Sequence, residues 1–454
     1  MAQISELNAR ISGRVLSEAH PEYDRARSVW NGTVDKHPRL IVECGNIADV
    51  IAAVGFARQQ ELGVSVRGGG HHVAGSSVLE GGLVLDLAHL RRVSVDPERR
   101  TARVEGGATL GDVDRETQAF GLAVPLGVVS ATGVAGLTLA GGLGWLRRKH
   151  GLTCDNLLSA DVVTADGQVV HASPLQNPDL FWALRGGGWD LGAVSSFEFQ
   201  AHPIGPEVFF TFVTYAMGEA REVLRRYREY MDSAPPESAT LAVCWTFPEA
   251  DSVPSNLWNE PFVGIVGPYA GDAVEGERVH SALARLGTAL TDQSGCVPWT
   301  RAQRFFDEDY PRGRRYYWRS AYISALSEEC IARVLEIAES RPSPLSSVDV
   351  WPLGGVIGAR QEDSPLAQRN APWAVALEAN WEAAEADQEN IAWVREAGRL
   401  LQPLTTGAYM NFADPDDAAA TASAYGKNLE RLRDIKRKFD PDNLFRSRRG
   451  LPMK

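Results

Sequence analysis

The chain has 454 residues, which is too long for one ordinary hydrophobic core, so we expect two intertwined units. Its content of 44% hydrophobic and 23% charged residues is that of a folded globular protein, not a disordered or fibrous one. A formal charge of −12 disfavours a nucleic-acid partner, because such a surface needs clustered cations.

The lack of a signal-peptide pattern and the spacing of the cysteines lead us to expect a cytoplasmic protein. Charges at Glu6 and Arg10 leave no apolar segment of signal-peptide length near the start. The five cysteines are far apart and form no C-x-x-C, which predicts buried reduced thiols. The uncharged stretch 118–146 is long enough to span a bilayer, but its glycines and Pro125 leave no continuous apolar face. We therefore expect it to be buried around a ligand, and we expect no membrane partner.

The first half of the chain alternates strand and helix patterns. In chain order the predictions are a helix at 47–57 capped by Asn46, strands at 64–66 and 82–87, a hairpin turning at Asp96-Pro97, a helix at 110–121, a hairpin turning at Asp166-Gly167, and a helix from Asn177 that stops at glycine.

The pattern changes near residues 203–206. Strands with aromatic alternation, such as F-F-T-F-V-T-Y and A-T-L-A-V-C-W-T-F, then alternate with amphipathic helices, which predicts an α+β unit with an antiparallel sheet. A last helix is predicted with Tyr425, Leu429, Leu432 and Ile435 on one stripe, ending before Asp440.

A glycine-rich loop, residues 68–70, follows the strand 64–66 and Arg67, and it precedes His71 and His72. Consecutive glycines leave backbone N–H groups free to surround a phosphate. A Rossmann fingerprint fits poorly because the next element is a strand and not a helix. Adjacent histidines rarely ligate one ion, so no metal site is predicted. From these residues alone, a turn with two hydrogen-bonded histidines stays open.

This loop and several later segments resemble the berberine-bridge-enzyme-like FAD oxidases. The matching segments are R-G-G-G-H (67–71), G-G-L-V-L-D-L (81–87), V-E-G-G-A (104–108), G-V-V-S-A-T-G-V-A-G-L-T-L-A-G-G-L-G (127–144), H-G-L-T-C-D-N (150–156), A-L-R-G-G-G (183–188), A-Y-M-N-F (408–412) and the run from Tyr425 to Phe445.

The resemblance implies an α+β fold of the vanillyl-alcohol-oxidase type. Its FAD-binding domain, made of two α/β subdomains, would comprise residues 1–204 and 403–454. Between them, residues 205–402 would form an inserted substrate domain with an antiparallel sheet covered by helices.

In that family a histidine at the position of His71 is joined to the 8α-methyl group of the flavin. The resemblance thus implies FAD as cofactor, a small-molecule substrate and dioxygen as partners, and a monomer or homodimer. The implied cofactor contacts are Arg67, Gly68, Gly69, Gly70, His71, His72, Ser76, Val129, Thr132, Gly133, Gly136, Gly141, Gly142, Gly151, Leu152, Asn156, Val162, Tyr409 and Asn411.

Three positions are informative because they vary in that family. Many relatives attach the flavin a second time through a cysteine, and Val129 stands there, so attachment through His71 alone is implied. Thr132, at the position that gates dioxygen, resembles valine in shape and favours an oxidase over a dehydrogenase. Relatives that oxidise alcohols have a tyrosine base where this chain has Phe412, which has no hydroxyl.

Another base is therefore needed, unless an amine substrate releases hydride directly. Period-two alternation in V-D-V-W-P-L (348–353) places Asp349 on one face with Trp351, which makes Asp349 a candidate base. A solvent-facing aspartate at a strand start is the alternative. We predict catalytic roles for Asp349, Tyr409 and Asn411, and substrate contacts for Trp351, Tyr317 and Phe412. The run 310–319 holds four arginines and four aromatics, which fits either a pocket for an anionic or aromatic substrate or a surface loop.

We therefore expect an FAD-dependent oxidase that transfers hydride from an amine, alcohol or natural-product intermediate to a His-linked flavin, with dioxygen reduced to hydrogen peroxide. Two alternatives remain. One is a natural-product tailoring flavoenzyme that oxidises or cyclises a polyketide or sugar, and the other is a flavoprotein without redox chemistry.

Overall fold

The computed structural model describes residues 2–413 and 418–447. A four-stranded sheet opens the chain, with β1 (Arg14–Leu16), β2 (Leu40–Glu43), β3 (Val64–Arg67) and β4 (Leu83–Asp86) in the order β1-β2-β4-β3. Its helices are α1 (Ala2–Arg10), α2 (Tyr23–Arg27) and α3 (Ile47–Gln59). β4 runs parallel to β2 and β3. The Asn46 side chain accepts a hydrogen bond from the Asp49 N–H, so the predicted cap of α3 is confirmed.

A second, antiparallel sheet follows. Its elements and neighbours are β5 (Val93–Asp96), β6 (Thr101–Glu105), α4 (Leu110–Gln118), β7 (Leu122–Ala123), α5 (Val134–Leu139), α6 (Arg147–His150), β8 (Leu157–Val163), β9 (Val169–Ala172), α7 (Pro178–Leu184), β10 (Ala193–Gln200) and β11 (His202–Pro203). The strand order is β5-β6-β10-β8-β9, and β7 pairs with β11. The predicted hairpins at Asp96-Pro97 and Asp166-Gly167 join β5 to β6 and β8 to β9.

The largest sheet is antiparallel and has its three longest helices on one face. Its strands are β12 (Glu207–Ala216), β13 (Leu241–Thr246), β14 (Pro261–Pro268), β15 (Ala289–Asp292), β16 (Gly295–Pro298), β17 (Arg315–Ile323), β18 (Ser347–Pro352), β19 (Trp373–Trp381) and β20 (Thr405–Gly407). They follow the order β15-β12-β14-β13-β18-β19-β17-β20, with β16 also on β12. The helices of this region are α8 (Ala220–Ser233), α9 (Ala273–His280), α10 (Trp299–Ala302), α11 (Glu328–Glu339) and α12 (Asp387–Leu401).

Alternation along these strands separates two apolar layers. In β19, Val375 and Leu377 belong to the core beneath α8, α11 and α12, whereas Ala374 and Ala376 belong to the core shared with the second sheet. The inner face of the large sheet, which carries Ala374 and Ala376, therefore looks toward the N-terminal part of the chain.

The last part of the chain, residues 405–413 and 418–447, is called the C-terminal return below. It reaches the first sheet through α13 (Ala418–Tyr425) and α14 (Leu429–Phe439). We predicted one helix here, and the prediction is wrong at Gly426, whose φ of +48 lies in the left-handed region and breaks the helix. Beyond α14, Phe445 forms a parallel bridge with Val64 beside β3. The buried Lys436 Nζ donates to Asp440 Oδ2 and to the Phe445 carbonyl, which fixes this return.

All five cysteines are free, as expected, but Cys296 is exposed, because β16 leaves its side chain on the surface. In the described part of the chain, no helix is both long and apolar enough to cross a membrane. The division at residues 204 and 402 stays a prediction. β12 begins at Glu207, and β20 pairs with β17 of the large sheet.

Candidate active site

A cavity of about 1540 Å³, counting its open mouth, lies where the first two sheets, the inner face of the large sheet and the C-terminal return meet. Its walls come from β3 and the loop after it, the segment 127–143, residues 189–194, β18, β19 and residues 409–412. One continuous cavity therefore connects the glycine-rich loop with the inner face of the large sheet.

The glycine-rich loop meets the segment 127–143 backbone to backbone. A Cβ on Gly69 would lie 2.4 Å from the backbone nitrogen of Gly133, so side chains are excluded at this contact. A Cβ on Gly136, in contrast, would meet nothing within 4 Å, and Gly136 lines the cavity. Main-chain N–H groups of both segments can thus approach a ligand closely, as phosphate-binding glycine loops do.

His71 lies flat in the cavity wall. Its ring stacks on Trp30 at 4.1 Å between centroids, and Trp30 stacks in turn on Tyr316 at 3.7 Å. Trp30 Nε1 donates to the Tyr310 carbonyl oxygen, which fixes the middle ring of the stack. The buried His71 Nε2 has no hydrogen-bond partner, and loss of water lowers the pKa of the imidazole to about 4. His71 is therefore a neutral, oriented imidazole with a free nitrogen.

The neighbouring His72, unlike His71, has hydrogen bonds at both ring nitrogens. Its Nδ1 accepts a hydrogen bond from the Ala74 N–H at 3.0 Å, so its Nε2 carries the proton and donates to the Met410 carbonyl at 3.3 Å. His72 and Ser76 both line the cavity. This contact ties the glycine-rich loop to the C-terminal return.

Val129, Thr132 and Gly133 line the cavity together. Between them, the Ser130 N–H and hydroxyl both donate to the Asp307 carboxylate, at 2.7 and 2.6 Å. The turn is thus held by a residue of the large-sheet region.

Several predicted cofactor contacts lie behind the cavity wall. Arg67 is buried and forms an ion pair with Asp86 at 2.6 Å. The Asn156 side chain donates to the carbonyls of His150 and Leu152. The predicted cofactor contacts that do not line the cavity are Arg67, Gly141, Gly142, Gly151, Leu152, Asn156 and Val162.

Tyr409 and Asn411 line the cavity and bond to each other. The Tyr409 Oη accepts hydrogen bonds from the backbone N–H groups of Gly142 and Leu143, at 3.0 and 2.8 Å, and from Asn411 Nδ2 at 2.8 Å. Burial raises the pKa of the phenol to about 12, so it stays protonated at neutral pH. Gly142 thus contacts the Tyr409 hydroxyl group through its backbone N–H. The predicted catalytic roles of Tyr409 and Asn411 stay predictions.

Two buried carboxyl groups, Asp349 of β18 and Glu378 of β19, form what we call the carboxyl pair. Asp349 pairs with Ala376 in the register of these strands, so Glu378 lies two residues away on the same face. Both line the cavity, at 5% and 3% exposure. The solvent-facing alternative for Asp349 is therefore wrong.

The carboxyl pair has few partners. Tyr310 Oη donates to Glu378 Oε2 at 2.7 Å, whereas Asp349 Oδ1 has no hydrogen-bond partner. Burial raises the pKa of Asp349 to about 7, and burial together with the charge of Asp349 raises the pKa of Glu378 well above its usual value. Asp349 can therefore hold and release a proton near neutral pH.

Aromatic side chains form the rest of this end of the cavity: Phe306, Tyr310, Trp318, Trp351 and Phe412. The rings of Trp318 and Phe412 meet edge to face at 5.6 Å. Trp351 Nε1 is buried without a partner. The predictions that Trp351 and Phe412 lie at the site therefore agree with their positions.

Tyr317 was predicted to contact the substrate, but its side chain does not line the cavity. It belongs to the core under the helices, where Arg395 Nε donates to its Oη at 3.2 Å and the Arg395 guanidinium lies 5.6 Å from its ring. Alternation in β17 turns Trp318 into the cavity and Tyr317 away from it. The arginines of the run 310–319 do not line the cavity either, so this run contributes only aromatic groups.

Unpartnered polar atoms suit a cofactor with many hydrogen-bonding groups. Buried polar groups normally have partners, and clusters without them mark places where a ligand supplies them. Those that line this cavity are Ser65 Oγ, His71 Nε2, Ser77 Oγ, Asp349 Oδ1 and Trp351 Nε1. Together with the glycine backbone, they fit a dinucleotide such as FAD. In the described residues no group of three or more histidine, cysteine, aspartate or glutamate side chains is arranged to hold a metal ion.

Comparison with known proteins agrees with this geometry. Residues 38–173 match the family described as an FAD binding domain, and residues 408–452 match that described as berberine and berberine like. The chain is 30% identical over 453 residues to the uncharacterized FAD-linked oxidoreductase YgaK of Bacillus subtilis, with 98% of this chain and 97% of the relative covered. It belongs to the berberine-bridge-enzyme-like family of FAD-linked oxidoreductases.

Another relative of this berberine-bridge-enzyme-like protein is the (R)-6-hydroxynicotine oxidase of Paenarthrobacter nicotinovorans, 30% identical over 453 residues, with 96% of each chain covered. The crystal structure of 6-hydroxy-D-nicotine oxidase from Arthrobacter nicotinovorans superposes with a TM-score of 0.87, at 26% identity and 98% coverage of both chains. The expected fold of the vanillyl-alcohol-oxidase type, the FAD cofactor and the oxidoreductase class are confirmed.

Sequence reasoning missed Glu378, and it included Tyr310 only as part of the run 310–319. Asp349 is the only titratable group of the inner face of β18, but the neighbouring strand adds a second carboxyl group. A signal was present, since Glu378 is the only charged residue in the strand W-A-V-A-L-E-A-N-W. Its partner β18 is not predictable from local pattern, so the sequence did not bring the two carboxyl groups together.

Proposed function

We propose that this protein is an oxidase that transfers hydride from a small organic substrate to an FAD held by His71 alone, and that dioxygen then reoxidises the cofactor to give hydrogen peroxide. The observation that carries the proposal is one cavity lined both by a free imidazole nitrogen on a glycine-rich loop and by the carboxyl pair. The oxidase name of a relative with 96% coverage supports it.

His71 is suited to hold the cofactor covalently. Only a neutral imidazole has a nitrogen lone pair free to form a bond, and the low pKa of His71 keeps its ring neutral. Trp30 holds the ring plane, so little reorientation is needed. Val129 offers no sulfur for a second bond, and no cysteine is among the described residues that line the cavity.

When bound, FAD supplies a two-electron acceptor for the hydride. The chain itself must supply the base, and Asp349 is the candidate. Its free Oδ1 lies in the cavity wall, and a pKa of about 7 suits proton transfer at neutral pH. Glu378, held by Tyr310, places a second carboxyl group on the same face of the sheet. Phe306, Trp318, Trp351 and Phe412 exclude water around the reacting carbon.

Thr132 is the candidate for the oxygen side of the reaction. It lines the cavity next to Gly133, where the glycine segments meet. Its short side chain leaves space that a leucine would fill.

The test needs no substrate. The protein-bound flavin is reduced anaerobically with dithionite, excess reductant is removed, and air-saturated buffer is added in a stopped-flow spectrometer. An oxidase regains its oxidised flavin spectrum quickly and releases hydrogen peroxide in proportion to flavin, measured with a peroxidase assay. Slow reoxidation, or reoxidation without peroxide, would contradict the oxidase proposal.

A further inference from the structure

We propose that Trp30 and Asn31 are positioning residues that hold the His71 ring for covalent attachment of the flavin, and that they do so only after residues 310–316 of the large-sheet region have docked on them. This inference rests on the proposed function, which assigns the covalent bond to His71, and it names the residues that set the geometry of that bond. Residues 30–32 are called the clamp below. The clamp contacts the glycine-rich loop on one side and residues 310–316 on the other.

The first contact of the clamp is with His71 and the residue before it. The planes of the Trp30 and His71 rings lie 18° apart, with 4.1 Å between centroids, and the Trp30 backbone N–H donates to the Gly70 carbonyl at 3.1 Å. Rotation of an imidazole about its last side-chain torsion has no sharp minimum, and the buried His71 Nε2 has no hydrogen bond to restrict it. The stack on Trp30 therefore sets the plane of the ring, and the backbone hydrogen bond holds the loop that carries it.

Asn31 ties the end of the same loop to β17. Its buried side chain donates from Nδ2 to the carbonyls of Val73 and Tyr316, at 2.6 and 2.9 Å, and its Oδ1 accepts from the Tyr316 N–H at 3.1 Å. A buried amide with these partners fixes two backbone segments relative to each other, because breaking a bond would leave a buried polar group without a partner. Asn31 therefore holds residues 71–73 in register with the first residues of β17.

Residues 310–316 secure Trp30 from the side of the large sheet. Trp30 Nε1 donates to the Tyr310 carbonyl at 2.9 Å, the Tyr316 ring stacks on the indole at 3.7 Å, and the Gly313 N–H donates to the Trp30 carbonyl at 2.8 Å. Trp30 is only 3% exposed. These contacts leave the indole no room to turn away from His71.

The two segments meet backbone to backbone at Gly32. The Gly32 N–H donates to the Arg314 carbonyl at 2.8 Å, and a Cβ on Gly32 would lie 2.2 Å from the Gly313 carbonyl oxygen. Trp30 and Tyr310 are 280 residues apart in the chain, so these contacts form only when the large-sheet region has folded and packed against the N-terminal part. The orientation of His71 is therefore conditional on that packing.

The covalent step balances with the partners already named. A neutral imidazole nitrogen of His71 gives its lone pair to the 8α carbon of FAD and forms the N–C bond. One C–H bond of that carbon breaks, its hydrogen leaves as a proton, and its electron pair stays on the ring system of the flavin. The imidazole also gives up its N–H proton, and the two protons and two electrons together leave the flavin reduced. Dioxygen then takes both electrons and both protons and leaves as hydrogen peroxide.

Variants of the clamp should separate attachment of FAD from its binding. A reacting atom misplaced by about 1 Å can react about 100-fold more slowly. Trp30→Leu removes the stack, so attachment should slow about 100-fold, while noncovalent binding of FAD should be retained because the glycine backbone is unchanged. Trp30→Phe keeps an aromatic face against His71 and should attach the flavin at nearly the wild-type rate. Asn31→Ala leaves both rings in place but frees the loop, and it should slow attachment as well.

Attachment and binding are measured on full-length proteins. The proteins are produced in cells limited for riboflavin, FAD is added after purification, and samples are precipitated with acid over time. Mass spectrometry then gives the fraction of protein that carries flavin. Noncovalent affinity is measured by FAD titration of each variant combined with His71→Ala, in which no bond to His71 can form.

Gly32→Ala tests the docking step without changing any group that touches His71. The new Cβ would collide with the Gly313 carbonyl and push residues 310–316 away from the clamp, so attachment should slow in this variant too.

Two matched controls should attach the flavin at the wild-type rate. Gly55→Ala adds a Cβ that would meet nothing within 4 Å. Trp393→Leu removes a buried indole whose Nε1 donates to the Ile337 carbonyl, in the core beneath α8, α11 and α12.

Wild-type attachment rates in Trp30→Leu or in Asn31→Ala would overturn the positioning role, and Asn31→Ala gives this result without requiring Trp30→Leu to fold. An equal loss in Trp393→Leu would overturn it too, because the effect would then be one of stability. A wild-type rate in Gly32→Ala would overturn the dependence on docking. The proposed function is judged separately: a wild-type protein without covalent flavin refutes the linkage to His71, whereas a linked wild-type protein with normally linked variants refutes the clamp alone.

Discussion

Replacing Asp349 by asparagine should raise stability and lower activity, because the buried carboxyl group is costly when ionised. Its pKa is raised from 3.8 to about 7, so on raising the pH the unfolded chain loses this proton before the folded protein does. The contribution of Asp349 to stability is therefore complete below about pH 4 and is lost as the pH rises to about 7. At about 1.4 kcal/mol per pKa unit, the three-unit shift costs the wild-type protein about 4 kcal/mol at about pH 8.

The assay follows urea unfolding by tryptophan fluorescence at several pH values. Asp349→Asn should be more stable than the wild-type protein by up to about 4 kcal/mol near pH 8, and the difference should disappear toward about pH 4. With a reducing substrate, anaerobic stopped flow should show flavin reduction slowed about 100-fold, the usual scale for a lost general base. The wild-type rate should rise with pH through about 7, and the variant should lose that rise.

Asp114→Asn is the matched control for flavin reduction, because Asp114 is also buried with a pKa raised to about 7 but bonds to Trp299 and Gln303 outside the cavity, so flavin reduction should be unchanged. If Asp349→Asn is no more stable at any pH, Asp349 is not a buried acid with a raised pKa. If the stability changes as expected but flavin reduction does not, Asp349 is not the base.

Three further predictions concern the cofactor side of the cavity. Acid-precipitated wild-type protein should be a yellow pellet and His71→Ala should release its FAD to the supernatant, whereas a colourless wild-type pellet would refute the linkage. Thr132→Leu should slow reoxidation of dithionite-reduced flavin while Thr132→Val should not, and equal stopped-flow rates in all three proteins would remove Thr132 from the oxygen reaction. Tyr409→Phe leaves the N–H groups of Gly142 and Leu143 without their acceptor and should cost about 2–4 kcal/mol of stability in urea unfolding, and an unchanged midpoint would contradict those bonds.

The elements that local pattern determines were predictable from the sequence. The cap at Asn46 and the hairpin turns at Asp96-Pro97 and Asp166-Gly167 depend on neighbouring residues only. The loop 68–72 was predicted as a cofactor site through its resemblance to the family motif, since the glycines and histidines alone left a plain turn open. The break at Gly426 was missed because the apolar stripe continues through it and only the backbone conformation shows the kink.

The arrangement of the carboxyl pair was not predictable, because it depends on the register between two strands. β18 and β19 are adjacent in space and in sequence, but the register that places Glu378 near Asp349 is set by packing along the whole sheet. The same holds for Tyr310, which reaches Glu378 from a loop 68 residues away in the chain. Tyr317 was misplaced for the opposite reason, since a run of aromatic residues does not reveal which of them faces inward.

The covalent link between His71 and the flavin is the central claim, and a peptide map tests it most directly. Trypsin cleaves after Arg67 and Arg91, so His71 falls in the peptide of residues 68–91 together with His72 and His89. Mass spectrometry should find the flavin on this peptide alone, with fragment ions that place it on His71, and the peptide containing Val129 should be unmodified. An unmodified peptide 68–91, with the flavin released or attached to any other residue, would contradict the account.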